Sequence, residues 1–222
     1  MTQLPLDLGH RPALGRSDFL VAPSNAAAIG WLDRWPDWPG PALVLHGPPG
    51  SGKSHLAAVF AARAAAQPIV AATLSVTSVP ALLGAAQAAV ADDADEAAEQ
   101  ALLHLHNLLG ERGGRLLVTA RTAPARWPVR LADLRSRLLA APTAALAPPD
   151  EALLGAVLVK LFADRQLLIG EEVIAYLLPR LERSFAAAQQ AVAALDRAAL
   201  AAQRRITVPL VRAVLGGGGS ES

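Results

Sequence analysis

A glycine-rich loop at residues 47–54, with the sequence GPPGSGKS, constrains the fold of this chain more than any other segment. It matches the pattern GxxxxGKS and lies between an apolar run at residues 42–46 and helical apolar spacing at residues 52–66. In that context backbone N–H groups surround phosphate oxygens, and the helix N-terminus adds the positive end of its dipole. The alternative is a turn that only caps a helix. The flanking strand and helix favour a phosphate-binding loop.

Two side chains of this loop have separate predicted roles. Lys53 supplies a point charge for the β- and γ-phosphates, and Ser54 holds magnesium. Lys53 and Lys160 are the only lysines in an arginine-rich chain, and arginine does not easily replace a compact ammonium inside a backbone cradle. The predicted nucleotide contacts of this segment are Gly47, Pro48, Pro49, Gly50, Ser51, Gly52, Lys53, Ser54 and His55.

Acidic residues follow a second apolar run, at residues 88–91. If that run is a strand of a parallel sheet, they meet the phosphate loop at the carboxyl edge, as a Walker B site requires. Asp92 then orients magnesium, and Asp93 positions or activates a water for attack on the γ-phosphate. The alternative is an acidic helix start, in which Asp93 and Asp95 complement the helix dipole.

Composition excludes several classes of protein. The 222 residues suffice for one large domain or two small ones, and no run of about 18 apolar residues indicates a membrane span. Cysteine is absent and the N-terminus does not read as a secretion signal, so we expect a cytoplasmic protein. A net charge of +1 gives no broad electrostatic surface for DNA.

The order of apolar segments predicts an α/β domain followed by a helical one. Strand-like runs at residues 42–46, 68–74, 88–91, 115–119 and 143–147 alternate with helical patterns, which indicates a parallel sheet covered by helices. After two prolines only helical patterns remain, at residues 150–165, 171–181 and 186–203 and in a final element opened by Thr207 and Pro209. The predicted divisions are a flexible arm (1–16), a nucleotide-binding α/β domain (17–148), a helical lid (149–215) and a disordered tail (216–222).

Three segments together resemble the AAA+ module of the bacterial replication initiator DnaA. They are SDFLVAPSN at residues 17–25, the loop continuing as GKSHL, and the pair Asp92 and Asp93. Their order and spacing cover nearly the whole chain. The resemblance implies a five-stranded parallel sheet of order 5-1-4-3-2 with a helical lid, and ADP or ATP with Mg²⁺ as ligands. It also implies that Phe19, Val21 and Asn25 line the base pocket.

Within this family the chain is similar to the Hda group of DnaA regulators. The lid segments LDRA at residues 195–198 and AQRRITVP at residues 202–209 carry that similarity. DnaA continues after its lid into a helix-turn-helix domain, whereas this chain ends soon after residue 215. We therefore expect no sequence-specific DNA reader.

The N-terminal arm contains QLPLDL at residues 3–8, which resembles the peptide with which replication proteins dock on the β sliding clamp. An extended peptide offers Leu4, Leu6 and Leu8 as apolar anchors and Gln3 as a hydrogen-bonding amide. Pro5 limits the entropy lost on docking. The alternative is an arm that packs on its own domain.

The segment LRSRL at residues 134–138 places Arg137 at the arginine-finger position of the family, facing the nucleotide of a partner subunit. A guanidinium there stabilises charge that develops on the γ-phosphate. Arg135 and Arg130 are the neighbouring candidates, and a solvated arginine-rich helix face is the alternative.

Two positions depart from the family. DnaA and Hda commonly carry an acidic sensor 1 residue where this chain has Arg121, and the sensor 2 arginine falls at Ala186, with Arg183 almost one helical turn earlier. Both departures weaken the expectation that the protein hydrolyses its own ATP.

The resemblance therefore implies a regulatory adaptor that acts on another protein's nucleotide. Its expected partners are DnaA, the β sliding clamp of DNA polymerase III, DNA indirectly through that clamp, and further copies of the chain, with no membrane. Two alternatives stay open: a self-oligomerising AAA+ ATPase that loads or remodels, with Asp93 essential, and a non-catalytic DnaA-binding or localisation protein.

Overall fold

The computed structural model describes residues 20–216, and its contacts divide the chain between residues 147 and 148. The first unit alternates helices and strands. Its elements are α1 (Ala26–Asp33), β1 (Ala42–His46), α2 (Lys53–Ala64), β2 (Gln67–Val70), α3 (Val79–Leu83), β3 (Ala88–Asp92), α4 (Glu99–Glu111), β4 (Arg115–Ala120), α5 (Ala132–Ala140) and β5 (Thr143–Ala145). Short 3-10 helices lie at Ala71–Thr73, Ala94–Glu96 and Pro124–Arg126.

The five strands form one parallel sheet in the order β2-β3-β4-β1-β5. This order confirms the predicted 5-1-4-3-2 arrangement, read from the opposite edge. The register pairs His46, the last residue of β1, with Ala120, the last residue of β4. The phosphate loop therefore starts beside the segment that follows β4, at the edge where ligands of parallel sheets bind.

Alternation along the strands gives the sheet two apolar faces. In β1, Ala42 and Val44 pack into one core with buried residues of α3, α4 and α5. Leu43 and Leu45 face the other way and pack with residues of α1 and α2. Burial on both faces explains why this strand is continuously apolar.

The second unit is helical. It contains α6 (Glu151–Asp164), α7 (Glu171–Leu177), a 3-10 helix at Leu178–Arg180, α8 (Phe185–Ala202) and α9 (Val208–Gly216). Asp150 caps α6 by accepting a hydrogen bond from the Leu153 backbone N–H at 2.7 Å, and Ser184 caps α8 in the same way. Buried leucine, valine and phenylalanine side chains of the four helices form its core.

Several predicted bounds were wrong. The strand predicted at residues 68–74 ends at Val70, and a 3-10 helix replaces its second half. The helix predicted at residues 171–181 ends at Leu177, because Pro179 lacks the N–H that an α-helix needs there. The last strand covers three of the five predicted residues. Among residues 20–216, no helix combines the length and hydropathy needed to cross a bilayer.

Candidate functional site

The phosphate loop joins β1 to α2 through a tight backbone path. Gly52 precedes α2 with φ of 93°, a left-handed conformation that favours glycine. At Gly47 a Cβ atom would lie 2.2 Å from the Leu146 carbonyl oxygen, so any larger residue there would displace the chain after β5. Pro48 and Pro49 are exposed at the rim of the loop. The loop therefore has the backbone geometry that the motif predicts.

Lys53 is buried, with 6% of its surface exposed, although it carries an ammonium group. Its Nζ donates hydrogen bonds to the carbonyl oxygens of Gly47 at 2.8 Å and Pro48 at 3.0 Å. Burial lowers the pKa of Lys53, and the carboxylates of Asp93 and Asp92 oppose that shift. The loop thus holds a cation directly beneath its own backbone.

Polar groups that lack hydrogen-bond partners among the described residues lie in the loop and at the start of α2. The Ser51 hydroxyl is buried without a hydrogen-bond partner in the described part of the chain. Within residues 20–216 no side chain caps the N-terminus of α2, so no cap satisfies its first backbone N–H groups there. Ser54 and His55 lie exposed on the first turn of α2. A cradle of this kind fits a phosphate group, which accepts hydrogen bonds and carries negative charge.

Asp92 ends β3 beside the first turn of α2. Its Oδ1 accepts a hydrogen bond from the Ser54 hydroxyl at 3.4 Å. A hydroxyl and a carboxylate are oxygen ligands of the type that Mg²⁺ takes, with phosphates and water completing its coordination. Residues 20–216 contain no cluster of three or more metal-ligating side chains, so the protein's share of such a site is small. The side chains of Ser54 and Asp92 therefore fit the magnesium ion that the sequence predicts at this site.

Thr119 links the two predicted Walker B aspartates and was missed by the sequence analysis. Its hydroxyl donates to Asp92 Oδ1 and accepts a hydrogen bond from the Asp93 backbone N–H at 3.0 Å. Thr119 is fully buried in β4. The available signal was a hydroxyl residue inside an otherwise apolar central strand, because a buried polar group has to be satisfied.

Asp93 leaves β3 in a left-handed conformation, with φ of 51°. Aspartate is one of the few residues besides glycine that tolerate this region. Burial raises the pKa of the Asp93 carboxyl, with further contributions from Asp92 and Asp95, while Arg121 opposes the shift. A carboxyl with a raised pKa is more basic than an ordinary aspartate, which suits the predicted role of Asp93 as a proton acceptor for water.

Arg121, at the predicted sensor 1 position, contacts the turn after β3. Its guanidinium pairs with Glu96 at 2.7 Å, and its backbone N–H donates to Asp95 Oδ2 at 3.2 Å. Together with the hydrogen bond from the Asp93 N–H to Thr119, these two contacts connect the end of β4 to the acidic turn by three hydrogen bonds. The exchanged charge therefore has a local partner in this chain.

Two of the predicted base-pocket residues, Val21 and Asn25, lie in the described part of the chain and make local contacts there. Asn25 is 6% exposed; its Oδ1 accepts from the Ala22 N–H at 2.8 Å, and its Nδ2 donates to the Leu20 carbonyl at 2.9 Å. Val21 packs against the core on the α1 and α2 side of the sheet. Phe19 lies outside the described residues, as do the predicted clamp contacts Gln3, Leu4, Leu6 and Leu8. The role of Asn25 at a nucleotide base stays a prediction.

Arg137 lies in the last turn of α5, and 39% of its side chain is exposed. Its Nε donates to Asp133 Oδ1 at 2.9 Å, one helical turn earlier, and a second guanidinium nitrogen donates to Oδ2 at 3.2 Å. Arg135 is exposed. Leu134 and Leu138 are buried and anchor the helix in the core.

The predicted sensor 2 region belongs to the helical unit. Ala186 is exposed in the first turn of α8, and Arg183 is exposed immediately before the capping residue Ser184. Neither residue has a hydrogen bond through its side chain within the described residues. Whether Arg183 takes the sensor role stays a prediction.

Comparison with known proteins places this geometry in a family context. The sequence family described as "Hda, lid domain" matches residues 154–215. Domain III of the Thermotoga maritima replication initiation protein DnaA aligns with 92% of this chain and 96% of its own, at 17% identity and a TM-score of 0.72. AMPPCP-bound DnaA from Aquifex aeolicus aligns with 86% of this chain and 66% of its own, at 16% identity and a TM-score of 0.66.

A motor protein also has a similar fold. The RuvB Holliday junction branch migration motor of Thermotoga maritima aligns with 79% of this chain and 61% of its own, at 16% identity and a TM-score of 0.66. Identities this low show the fold. The chain therefore shares its fold with domain III of DnaA, and residues 154–215 are similar to the Hda lid, in agreement with the predicted resemblance.

Proposed function

We propose that this protein is a regulatory AAA+ adaptor. It binds ADP or ATP with Mg²⁺, docks on the β sliding clamp, and stimulates hydrolysis of ATP bound to DnaA, which limits re-initiation of replication. The observation that carries the nucleotide-binding part is the buried ammonium of Lys53 beneath a loop with unsatisfied polar groups. The match of residues 154–215 to the Hda lid family supports the choice of DnaA as partner.

Nucleotide binding uses groups that the chain already holds together. Lys53 exchanges its carbonyl contacts for phosphate oxygens, and the N–H groups at the start of α2 donate to the same phosphates. Ser54 and Asp92 would hold Mg²⁺, which would supply positive charge against the negative charge of the phosphates. The bound nucleotide then stabilises the first unit by mass action.

Stimulation in trans requires a cation that the chain can offer to a neighbour. Arg137 has that character, because its exposed ion pair with Asp133 contributes little and exchanges easily for a stronger anion. A γ-phosphate on DnaA is such an anion. Clamp docking is assigned to residues 3–8 on their sequence alone.

The central experiment measures hydrolysis of ATP preloaded on DnaA, in the presence of DNA-loaded clamp and excess adaptor. We expect Arg137→Ala to lower the stimulated rate by about 10³-fold or to background, the scale of an arginine finger. Arg135→Ala, two residues earlier on the same helix, is the matched control and should keep most of the stimulation. Full stimulation by Arg137→Ala contradicts the finger assignment.

The role of the arm is tested in the same assay. Deleting residues 3–8 should abolish the dependence on clamp while leaving nucleotide binding unchanged, because the arm and the phosphate loop are separate in sequence. An arm-deleted protein that still responds to DNA-loaded clamp contradicts clamp docking through this motif.

A second candidate function is a self-oligomerising AAA+ ATPase that uses its own ATP. The observation that favours it is the intact group of Ser54, Asp92 and Asp93 beside Lys53. Turnover by the isolated protein that is lost in Asp93→Ala supports this candidate. Tight ADP binding without turnover supports the adaptor, and identifying the nucleotide that co-purifies is the simplest first measurement. If neither the wild type nor the variants stimulate hydrolysis of DnaA-bound ATP, the role that remains is DnaA binding without catalysis.

A further inference from the structure

The start of α5 is held by a carboxylate from a different helix. Glu99, the first residue of α4, accepts a hydrogen bond from the Leu131 backbone N–H at 2.7 Å. It also accepts from the Arg130 backbone N–H, at 3.0 Å to Oε1 and 3.2 Å to Oε2. These residues immediately precede α5, and they are separated from Glu99 by more than 30 positions in sequence.

These bonds do for α5 what its own sequence does not. The residue at the N-cap position is Leu131, which has no side-chain hydrogen-bonding group, so α5 begins without a cap of its own. Glu99 supplies the missing acceptor, and its negative charge adds to that of Asp133 in the first turn, at the positive end of the helix dipole. The two backbone N–H donors hold the pKa of the Glu99 carboxyl below its usual range, which shows that the contact favours the ionised form.

The contact lies close to Arg137. Leu131 and Arg137 are six residues apart, which is less than two turns or about 9 Å of helix rise. A helix of this length moves as a rigid element, so the angle at which it starts determines where its last turn points. Leu134 and Leu138 fix which side of α5 is buried, whereas the Glu99 bonds fix the position of its first turn.

We propose that Glu99 is a positioning residue for the arginine finger, one that acts by holding the first turn of α5. This inference rests on the proposed function, because it assigns to Glu99 a role in aiming Arg137. Glu99 touches no nucleotide in this role. Its loss leaves the guanidinium in place on α5 but changes how often that guanidinium has the productive geometry.

The surroundings of Glu99 make it suitable for a test by mutation. An open surface depression borders the contact and is lined by Ala98, Glu99, Gln100, Arg130 and Leu131. Shortening the Glu99 side chain beside an existing open space removes its hydrogen bonds without creating a new void in the core. Glu111, at the other end of α4, is exposed and makes no ion pair or hydrogen bond through its side chain within residues 20–216. Glu111→Ala is therefore the matched control.

The first measurement is amide hydrogen exchange over α5, with full-length protein and no DnaA. We expect exchange across residues 130–140 to be about tenfold faster in Glu99→Ala than in wild type, since two charge-assisted bonds at the helix start are lost. Glu99→Gln keeps one acceptor oxygen and should fall between them, while Glu111→Ala should match wild type. Unchanged exchange in Glu99→Ala overturns the proposal.

The second measurement is the stimulated hydrolysis of DnaA-bound ATP at increasing adaptor concentration. Glu99→Ala should lower the maximal rate about tenfold, the scale of a displaced catalytic group, and leave the half-maximal concentration unchanged. A protein that was merely less folded would instead shift the half-maximal concentration. The double variant Glu99→Ala with Arg137→Ala should be no slower than Arg137→Ala alone, because both changes act through one guanidinium.

The outcomes separate the two proposals. If Arg137→Ala stimulates as well as wild type, the finger assignment is wrong, whatever the exchange data show. If Arg137→Ala is inactive but Glu99→Ala keeps the wild-type maximal rate despite faster exchange, the proposed function stands and the positioning role of Glu99 is wrong. Additive losses in the double variant also overturn the positioning role.

Discussion

The phosphate loop and helix α5 carry the two cations of the proposed mechanism and present them in opposite ways. Lys53 is 6% exposed, and its ammonium is bound to two carbonyls of its own loop. The Arg137 side chain is 39% exposed, and its one ion pair among the described residues is with a carboxylate on its own helix. The loop directs its charge inward, against its own carbonyl groups, whereas α5 carries its charge on a partly exposed side chain that a second macromolecule can reach.

The difference teaches that the two regions are stabilised by different means. Backbone conformation, a close approach to Leu146 and contacts within the sheet edge hold the loop. By contrast, α5 depends on a narrow apolar stripe and on Glu99 from a distant part of the sequence. Substitutions in α5 should therefore alter the stability of the helix or the position of Arg137 without altering nucleotide affinity. Substitutions in the loop should alter nucleotide affinity without affecting α5.

The largest expected effect is on the buried side of α5. Leu138 is 3% exposed and its neighbour Leu139 is 52% exposed. Leu138→Ala should lower the free energy of unfolding of the first unit by about 3 kcal/mol through lost burial and a new cavity, whereas Leu139→Ala should change it by less than about 0.5 kcal/mol. All four tryptophans lie in this unit, so their fluorescence during urea unfolding reports on it selectively.

In Leu138→Ala, nucleotide affinity measured well below the unfolding midpoint should equal that of wild type. A parallel loss of affinity would mean that α5 and the loop are energetically coupled, which would break the comparison.

The next effect belongs to the loop. Lys53→Ala should weaken ADP and ATP binding by about 50-fold, or about 2.3 kcal/mol, because the charged hydrogen bond from the Lys53 ammonium to the phosphates is lost. Lys160→Ala is the natural control, because Lys160 is the only other lysine and forms an exposed ion pair with Asp164. Titration calorimetry with both variants measures the difference. Equal affinities would remove Lys53 from the binding site.

A smaller effect is expected beside the loop, at Asn25. Replacing it with alanine removes two hydrogen bonds from a buried side chain and should lower the free energy of unfolding by about 1–2 kcal/mol. If Asn25 also contacts the base, affinity for nucleoside diphosphate should fall while affinity for inorganic pyrophosphate stays constant. If both affinities stay constant, Asn25 serves structure alone.

The smallest effect concerns pH. Asp93 has a raised pKa in the folded protein, so the folded state binds more protons than the unfolded state between the two pKa values, and stability falls as the pH rises through that window. Asp93→Asn removes the charge and keeps a side chain that tolerates the left-handed backbone. We expect its Tm to exceed that of wild type by about 1–2 °C at pH 7.

That difference should shrink as the pH is lowered, because the wild-type carboxyl then also becomes neutral. Thermal unfolding followed by tryptophan fluorescence at pH 4 to 8 measures it. A Tm difference that grows towards low pH contradicts the assigned direction.

The sequence predicted the sheet and the loop because both depend on local patterns. Apolar runs of fixed length indicate strands, and the spacing of glycine, lysine and serine is sufficient for the phosphate loop. It predicted less well where a pattern continues but the backbone changes conformation. After Val70 the residues remain apolar, yet the chain forms a 3-10 helix, and after Leu177 a proline ends an otherwise helical pattern.

The contacts that complete the candidate site were out of reach for a different reason. Thr119 meets Asp92 and Asp93, and Glu99 meets the chain before α5, across separations of 26 residues or more. No local pattern specifies which side chains meet at a sheet edge. The pairing of Arg121 with Glu96 is of the same kind, and it explains how the exchanged charge is accommodated.

The first glycine of the phosphate loop has a consequence for how such motifs are interpreted across evolution. Gly47 is required by the residue that follows β5, since a side chain at position 47 would meet the Leu146 carbonyl oxygen whether or not a nucleotide is bound. Lys53 has no comparable role in the packing of the sheet. A homologue that no longer binds nucleotide would therefore be expected to keep Gly47 but could lose Lys53. The presence of the lysine thus indicates nucleotide binding, whereas the presence of the first glycine does not.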